Sequence, residues 1–359
     1  MAEYQFLPRK DLQRLLEVLR AAGFRCVGPQ MRDGAVMYDT IEDAARLPRG
    51  VHDEQAPGRY LLHAGDGERL FAWANGPQAI KPLTFAPREI LWQAHQQDGG
   101  LEFSAAPLHD EPVAVLGVRA CDLAAMQIHD QHFASDAYYA ARRERLFLVA
   151  VNCTHPAATC FCASTGDGPE ALSGFDLVLD ELDDGYVIRS GTPAGGNIMR
   201  QLFLTAASDE QRAQARDQIA AAASAQSRSL PGTALRDTLF ANLEHPRWDD
   251  VAARCLSCGN CTSVCPTCFC HHERDEPSLD GTRSSHYREW DTCFTEGHSY
   301  IHGIVIRADT RLRYRQWLTH KLGSWHDQFG RSGCVGCGRC ISWCPAAIDM
   351  TEEANAICR

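Results

Sequence analysis

The chain has 359 residues, 45% of them hydrophobic, and a formal net charge of −11, so its length predicts two domains and its acidity argues against nucleic acid, whose phosphates call for a basic surface. No run reaches the roughly 18 apolar residues of a membrane span, and the amphipathic start MAEYQFLPRKDLQRLLEVLRAAG lacks the apolar core of a secretory signal. Seventeen cysteines without secretory context then predict metal binding or reactive thiols in a reducing cytoplasm.

Residues 8–22 read as a helix, because Leu12, Leu15, Leu16 and Leu19 share one face and Gly23 is a natural stop. From there to about residue 112, short apolar runs alternate with turn residues (AVMYDTI, YLLHA, LFAWANGP, LTFAPREILWQA), which predicts strands and loops with a short helix near the end. PVAVLGV at 112–118 and RLFLVAVN at 145–152 are continuous apolar runs, the pattern of strands buried on both faces of a central parallel or mixed sheet. A helical stretch runs between them from Asp122 to about Arg143, and FDLVLDEL at 175–182 with GYVIRSG at 185–191 reads as a hairpin across an Asp-Asp turn. Thr205–Ser229 is rich in helix formers, Pro231 breaks it, and a second helical stretch ends near Leu243, together reading as a surface linker.

The strongest signal follows. CLSCGNCTSVCP at 255–266 and CVGCGRCISWCP at 334–345 space their cysteines by three, three and four residues and close with proline, the run that wraps a [4Fe-4S] cubane in bacterial ferredoxins. In paired runs the fourth cysteine crosses to the other cluster, so Cys255, Cys258, Cys261 and Cys344 form one ligand set, and Cys334, Cys337, Cys340 and Cys265 the other. A zinc ribbon also uses CxxC pairs, but needs two per ion, whereas each run holds four cysteines in one register.

Cys121, in GVRACDL, and Cys153, Cys160 and Cys162, in NCTHPAATCFCASTGDGP, directly follow the two buried strands. Strand ends in α/β folds are where ligands sit, and these four would suffice for a third [4Fe-4S] cluster; alternatively they are small buried residues. Between the ferredoxin runs, Cys268, Cys270 and Cys293 with His271, His272, His286, His298 and His302 either bind another metal or shield the clusters. Cys26 and Cys358 read as spare thiols, and Arg307, Arg311, Arg313, Arg315 and Lys321 are either a solvated helix face, a counter-charge for the clusters, or a dock for an acidic partner. The organisation expected is an α/β domain with a central sheet over 1–204, a helical linker over 205–245, and a two-cluster ferredoxin-like α+β domain with a long insertion over 246–359.

The segments LPRGVHDEQAPGRYLL, ANGPQAIKPLTFAP, GVRACDLAAMQIHDQHF, CFCASTGDGP, CLSCGNCTSVCPTCFC, REWDTCF and GCVGCGRCISWCP resemble the β subunit of sulfhydrogenases, NAD(P)-linked bidirectional [NiFe] hydrogenases, and the related A subunit of anaerobic sulfite reductase. The likeness runs from about residue 47 to 350, departing at Ala120, where proline is expected, and at His271-His272. It implies an electron-transfer subunit of a hetero-oligomer, between a flavin-containing, NAD(P)H-reactive γ subunit and the [NiFe] subunits, with no catalytic residues of its own. The absence of GxGxxG, phosphate-loop and Ser/His/Asp signatures agrees. The alternatives are a sulfite reductase subunit, a free-standing redox enzyme acting on a small sulfur compound, or a zinc-held adaptor.

Overall fold

The computed structural model describes residues 4–359 except 79, 98, 110 and 233. An eight-stranded mixed sheet forms the first layer, in the order Thr205–Ala206, Gln5–Pro8, Gly185–Ser190, Leu177–Glu181, Leu146–Val151, Val113–Val118, Arg25–Arg32, Ala35–Thr40. Its four central strands, from Leu177–Glu181 across to Arg25–Arg32, are parallel, and antiparallel pairs flank them. Side chains alternate across a strand, so a strand covered on both faces reads as unbroken apolar sequence. Ala114, Leu116, Phe147, Val149 and Val151 pack on one face with Leu12, Leu15, Leu16 and Leu19 of the helix Leu12–Ala21. Val113, Val115, Leu148 and Ala150 pack on the other with Leu123 and Met126 of the helix Ala120–His132. The hairpin predicted at 175–191 is present.

Two expectations need correction. The helical stretch after Asp122 is two helices, Ala120–His132 and Ala137–Glu144, because Asp136 turns its carboxylate to cap the second through the Tyr139 amide at 2.8 Å. The short helix of the stretch before residue 112 is Lys81–Thr84, and Arg88–Gln97 is a strand held by Arg283–Trp290. The 205–245 segment is only in part a surface element. The helix Asp209–Ser224 is largely exposed, but Leu235 and Leu239 of Leu235–Ala241 are buried in the core of the C-terminal part with Trp248, Tyr314, Trp317 and Ile341.

A second, antiparallel sheet has the order His271–Pro277, Arg283–Trp290, Arg88–Gln97, Gly100–Ala105. Two of its strands come from between the ferredoxin runs and two from before residue 106. A buried ion-pair group fastens the seam: Glu89 accepts from Arg288 at 2.6 Å and from Arg142 at 2.8 Å. No helix among the described residues is long and apolar enough to cross a membrane.

Candidate metal centres

The two cysteine runs fold alike because each needs a backbone that curls. Ser257 and Gly259 in the first, and Gly336 and Gly338 in the second, have positive φ, a region glycine enters without strain. Each run then makes one helical turn, Asn260–Ser263 or Arg339–Ser342. The first thiol of each accepts a backbone amide two residues on, Ser257 N to Cys255 Sγ at 3.5 Å and Gly336 N to Cys334 Sγ at 3.4 Å.

Cys255, Cys258, Cys261 and Cys344 line one cavity, about 460 Å³ of space free of atoms, with Cys340 on its wall and Phe294, Tyr314, Trp317, Ile348 and Met350 around it. The Tyr314 hydroxyl and the Trp317 indole nitrogen are buried without a hydrogen-bond partner among the described residues. Buried donors ordinarily find acceptors, so this lining fits a group that brings sulfur acceptors with it. Cys258 is exposed, which puts this site at the surface.

Around the second run, burial first, and then the neighbouring thiols of Cys334, Cys265 and Cys337, push the Cys340 thiol well above its ordinary value. The four cysteines of the second set therefore stand close enough to repel one another as thiolates. Cys268 stands beside Cys265, hydrogen-bonded to it, a neighbour that the spacing of the run did not foresee. Two buried lysines face this region. Lys321 donates to Thr267 Oγ1 at 2.8 Å and Gly333 O at 3.3 Å, and Thr267 Oγ1 lies 3.2 Å from Cys265 Sγ. Lys81 donates to the carbonyls of Ser263 and Cys268, both at 3.3 Å. Burial works against the charge of Lys321, but the Cys265 and Cys268 thiolates outweigh it and hold the ammonium above its ordinary value. Among the described residues the hydrogen bonds of both lysines go to neutral oxygens, and burial pushes Lys81 down to about 8, so both ammonium groups gain from negative charge close by. A cysteinate-ligated cluster supplies it.

The third set converges on a small cavity lined by Cys121, Cys153, Cys160 and Cys162 with Asn75, Arg119, Gly168 and Gln226. Two adjacent parallel strands deliver them. Val113–Val118 leads into the first turn of Ala120–His132, which carries Cys121. Leu146–Val151 leads into the loop bearing the other three, pinned by Asn152, which donates to Asp180 at 2.6 Å and accepts from the Ala171 amide at 2.7 Å. Arg119 is 2% exposed and among the described residues donates only to carbonyls, those of Phe71 (2.9 Å), Trp73 (2.6 Å), Val151 and Asn152 (3.4 Å each). Its Nε has no partner among the described residues. Gln226 Nε2 lies 3.3 Å from Cys162 Sγ. Burial pushes Cys162 up to about 12 against the pull of that hydrogen bond, and pushes Cys153 up against the pull of Arg119. A buried guanidinium without a carboxylate partner among the described residues fits a pocket that would hold a negatively charged group.

This third cavity adjoins the second run. Gly336 O accepts from Phe161 N at 2.8 Å, and Cys337 O lies 3.8 Å from Cys160 Sγ. A Cβ at Gly336 would stand 2.5 Å from Cys162 N, and one at Gly338 2.4 Å from Thr159 O. The glycines that let the run curl also admit the neighbouring cysteine loop.

The remaining candidates scatter. His286 bonds Asp275 at 2.7 Å and stacks on Trp92, His272 reaches Glu289, and His298 lies 3.7 Å from Asp291. Among the described residues no three His, Cys, Asp or Glu gather as ligands of a single metal ion. Cys270 and Cys293 neighbour each other and Lys321, while Cys26 is buried against the Leu16 carbonyl. The basic run is not one face: Arg311 and Arg315 pair with Glu244, whereas Arg313 and Lys321 are buried. Asn75, Lys81 and Arg119 lie in segments that carry the resemblance but receive no role there, and Gln226 lies in none. Their role depends on contacts far apart in sequence.

A family profile described as a 4Fe-4S dicluster domain matches residues 254–348. The chain is 34% identical over 254 residues to the Sulfhydrogenase 2 subunit beta of Pyrococcus furiosus, an alignment covering 69% of this chain and 75% of that one. No solved structure matches the chain. With the cysteine runs, their paired sites and this extended likeness together, the chain belongs to the sulfhydrogenase β-subunit family and is an iron–sulfur electron-transfer subunit.

Proposed function

We propose that this subunit relays electrons between a flavin-containing, NAD(P)H-reactive subunit and a [NiFe] hydrogenase module, within a cytoplasmic hetero-oligomer. Cys255, Cys258, Cys261 and Cys344 would hold one [4Fe-4S] cluster, Cys334, Cys337, Cys340 and Cys265 a second, and Cys121, Cys153, Cys160 and Cys162 a third. Each bound cluster supplies a one-electron couple and transfers no atoms.

The observation that carries the reading is continuity: the third cavity touches the Cys337 loop, and Cys340 of the second set also lines the cavity of the first. The chain's residues do the rest. Phe294, Trp317 and Ile341 keep water from the ligands, and Arg119, Lys81 and Lys321 offset buried negative charge. Exposed Cys258 and Leu256 bring the first site to a surface where a partner's redox group can approach. The fold organisation proposed with this function is an α/β part over 1–204 that carries the third site, a helical connection over 205–245, and a ferredoxin-like part over 246–359 that carries the other two.

The test is anaerobic reduction of the complex by NAD(P)H, followed by bleaching of the iron–sulfur absorbance and by hydrogen evolution. Cys258→Ala and Cys337→Ala should each remove one centre by EPR and stop hydrogen evolution while flavin reduction continues. Hydrogen evolution at the wild-type rate in both variants would refute the relay.

A further inference from the structure

Asn75 lies in a loop far from every cysteine in sequence, is 5% exposed, and joins the second and third sites. Its side-chain nitrogen lies 3.5 Å from Cys121 Sγ and 3.3 Å from the Cys337 carbonyl. Its side-chain oxygen accepts from Arg339 Nη2 at 3.0 Å. Guanidinium has donors only, so the oxygen faces Arg339 and the NH2 group is the end nearer the sulfur, at 3.5 Å against 3.9 Å for the oxygen. Arg339 is itself fixed. It grips Asp122, the neighbour of Cys121, through two bonds of 2.8 and 3.0 Å, and donates to the Gly76 carbonyl at 3.0 Å. Two elements from opposite ends of the chain thus hold one amide with its hydrogens on a candidate ligand sulfur.

We propose that Asn75 sets the reduction potential of the third centre by this N–H to S contact, a positioning residue that also ties that centre to the second run. The inference rests on reading Cys121 as a cluster ligand. Hydrogen bonds to ligand sulfur are among the levers by which a protein tunes such a couple. An electron arriving from dithionite or from the neighbouring centre leaves more negative charge on the ligand sulfurs, which a fixed donor stabilises. No proton moves and no bond is made or broken. Asn75 therefore raises the potential of the third centre relative to the same site without a donor.

The experiment is an EPR-monitored dithionite titration of the full chain, with iron and acid-labile sulfide counted on each sample, for wild type, Asn75→Leu, Asn75→Asp and Cys121→Ser. Cys121→Ser identifies the resonance and the iron that belong to the third site. Asn75→Leu should keep the full iron count and shift the midpoint of that resonance to lower potential. Asn75→Asp, close in shape but without an amide donor and with added negative charge, should shift it further, and the resonances of the first site should stay in place. Unchanged midpoints with iron retained in both Asn75 variants would overturn the proposal. So would loss of the third-site iron in both, since Asn75 would then be a structural strut alone. If instead Cys121→Ser matched wild type in iron and in every resonance, the reading of a third centre would itself fall.

Discussion

Asp122 and Arg339 stand 217 positions apart in the chain, and their side chains are 0% and 1% exposed. Removing one partner of such a pair leaves the other charged, buried and alone, at a cost of ~3–5 kcal/mol. Asp122→Ala should lower unfolding stability by that order in urea titration, whereas Arg236→Ala, at an exposed pair with Asp327, should leave the urea midpoint nearly unchanged. Equal effects would mean that the seam between the second and third sites contributes nothing special. His129 is a second residue with a measurable consequence. Burial, and then Lys81, push it down to about 3, and its Nε2 has no partner among the described residues. The unfolded chain takes up this proton near pH 6.5 and the folded chain does not, so stability is intact above that value and declines as the pH falls from about 6.5 towards 3. His129→Leu should reduce the stability lost between pH 7 and 5 by about 2 kcal/mol, read from urea midpoints at the two pH values; an equal loss in both proteins would show that His129 already binds its proton in the fold.

Among the elements, those set by local pattern were legible in the sequence. The apolar runs at 112–118 and 145–152 read as buried strands because helices cover both faces, and the cysteine runs read as cluster loops because spacing alone defines them. The partnership of Arg283–Trp290 with Arg88–Gln97 was not legible: strand pairing across so long a separation leaves no local mark. Leu235 and Leu239 looked like linker for a similar reason, since the core that buries them is assembled from Phe161 and from residues 248 onward. Gly336 shows how a legible residue can carry an illegible duty. Its φ of +63° could be read from the motif, but its closeness to Phe161 and Cys162 could not. Gly336→Ala should cost ~1–3 kcal/mol and lower the iron held at the second and third sites together. Loss confined to the second site would separate the two loops.

At the scale of the whole molecule, the shared antiparallel sheet, the Arg339–Asp122 pair and the Phe161–Gly336 contact make one body of segments that the sequence divides at residue 245. Residues 246–359 expressed alone should therefore lack a sharp thermal transition, because Arg288 loses Glu89 and Arg339 loses Asp122; a cooperative melt of that fragment would contradict this. The twelve cysteines at the three sites could be listed from the sequence, but their contiguity could not, because it depends on Asn75 and Gln226 arriving from distant segments and on the Phe161–Gly336 contact. The most direct test of the central claim, a relay of three neighbouring centres, is anaerobic iron and acid-labile sulfide analysis of the full chain beside Cys121→Ser and Cys160→Ser. The account predicts about twelve irons per chain falling to about eight in both variants. About eight in all three samples would contradict it and leave the Cys121 cavity without a cluster.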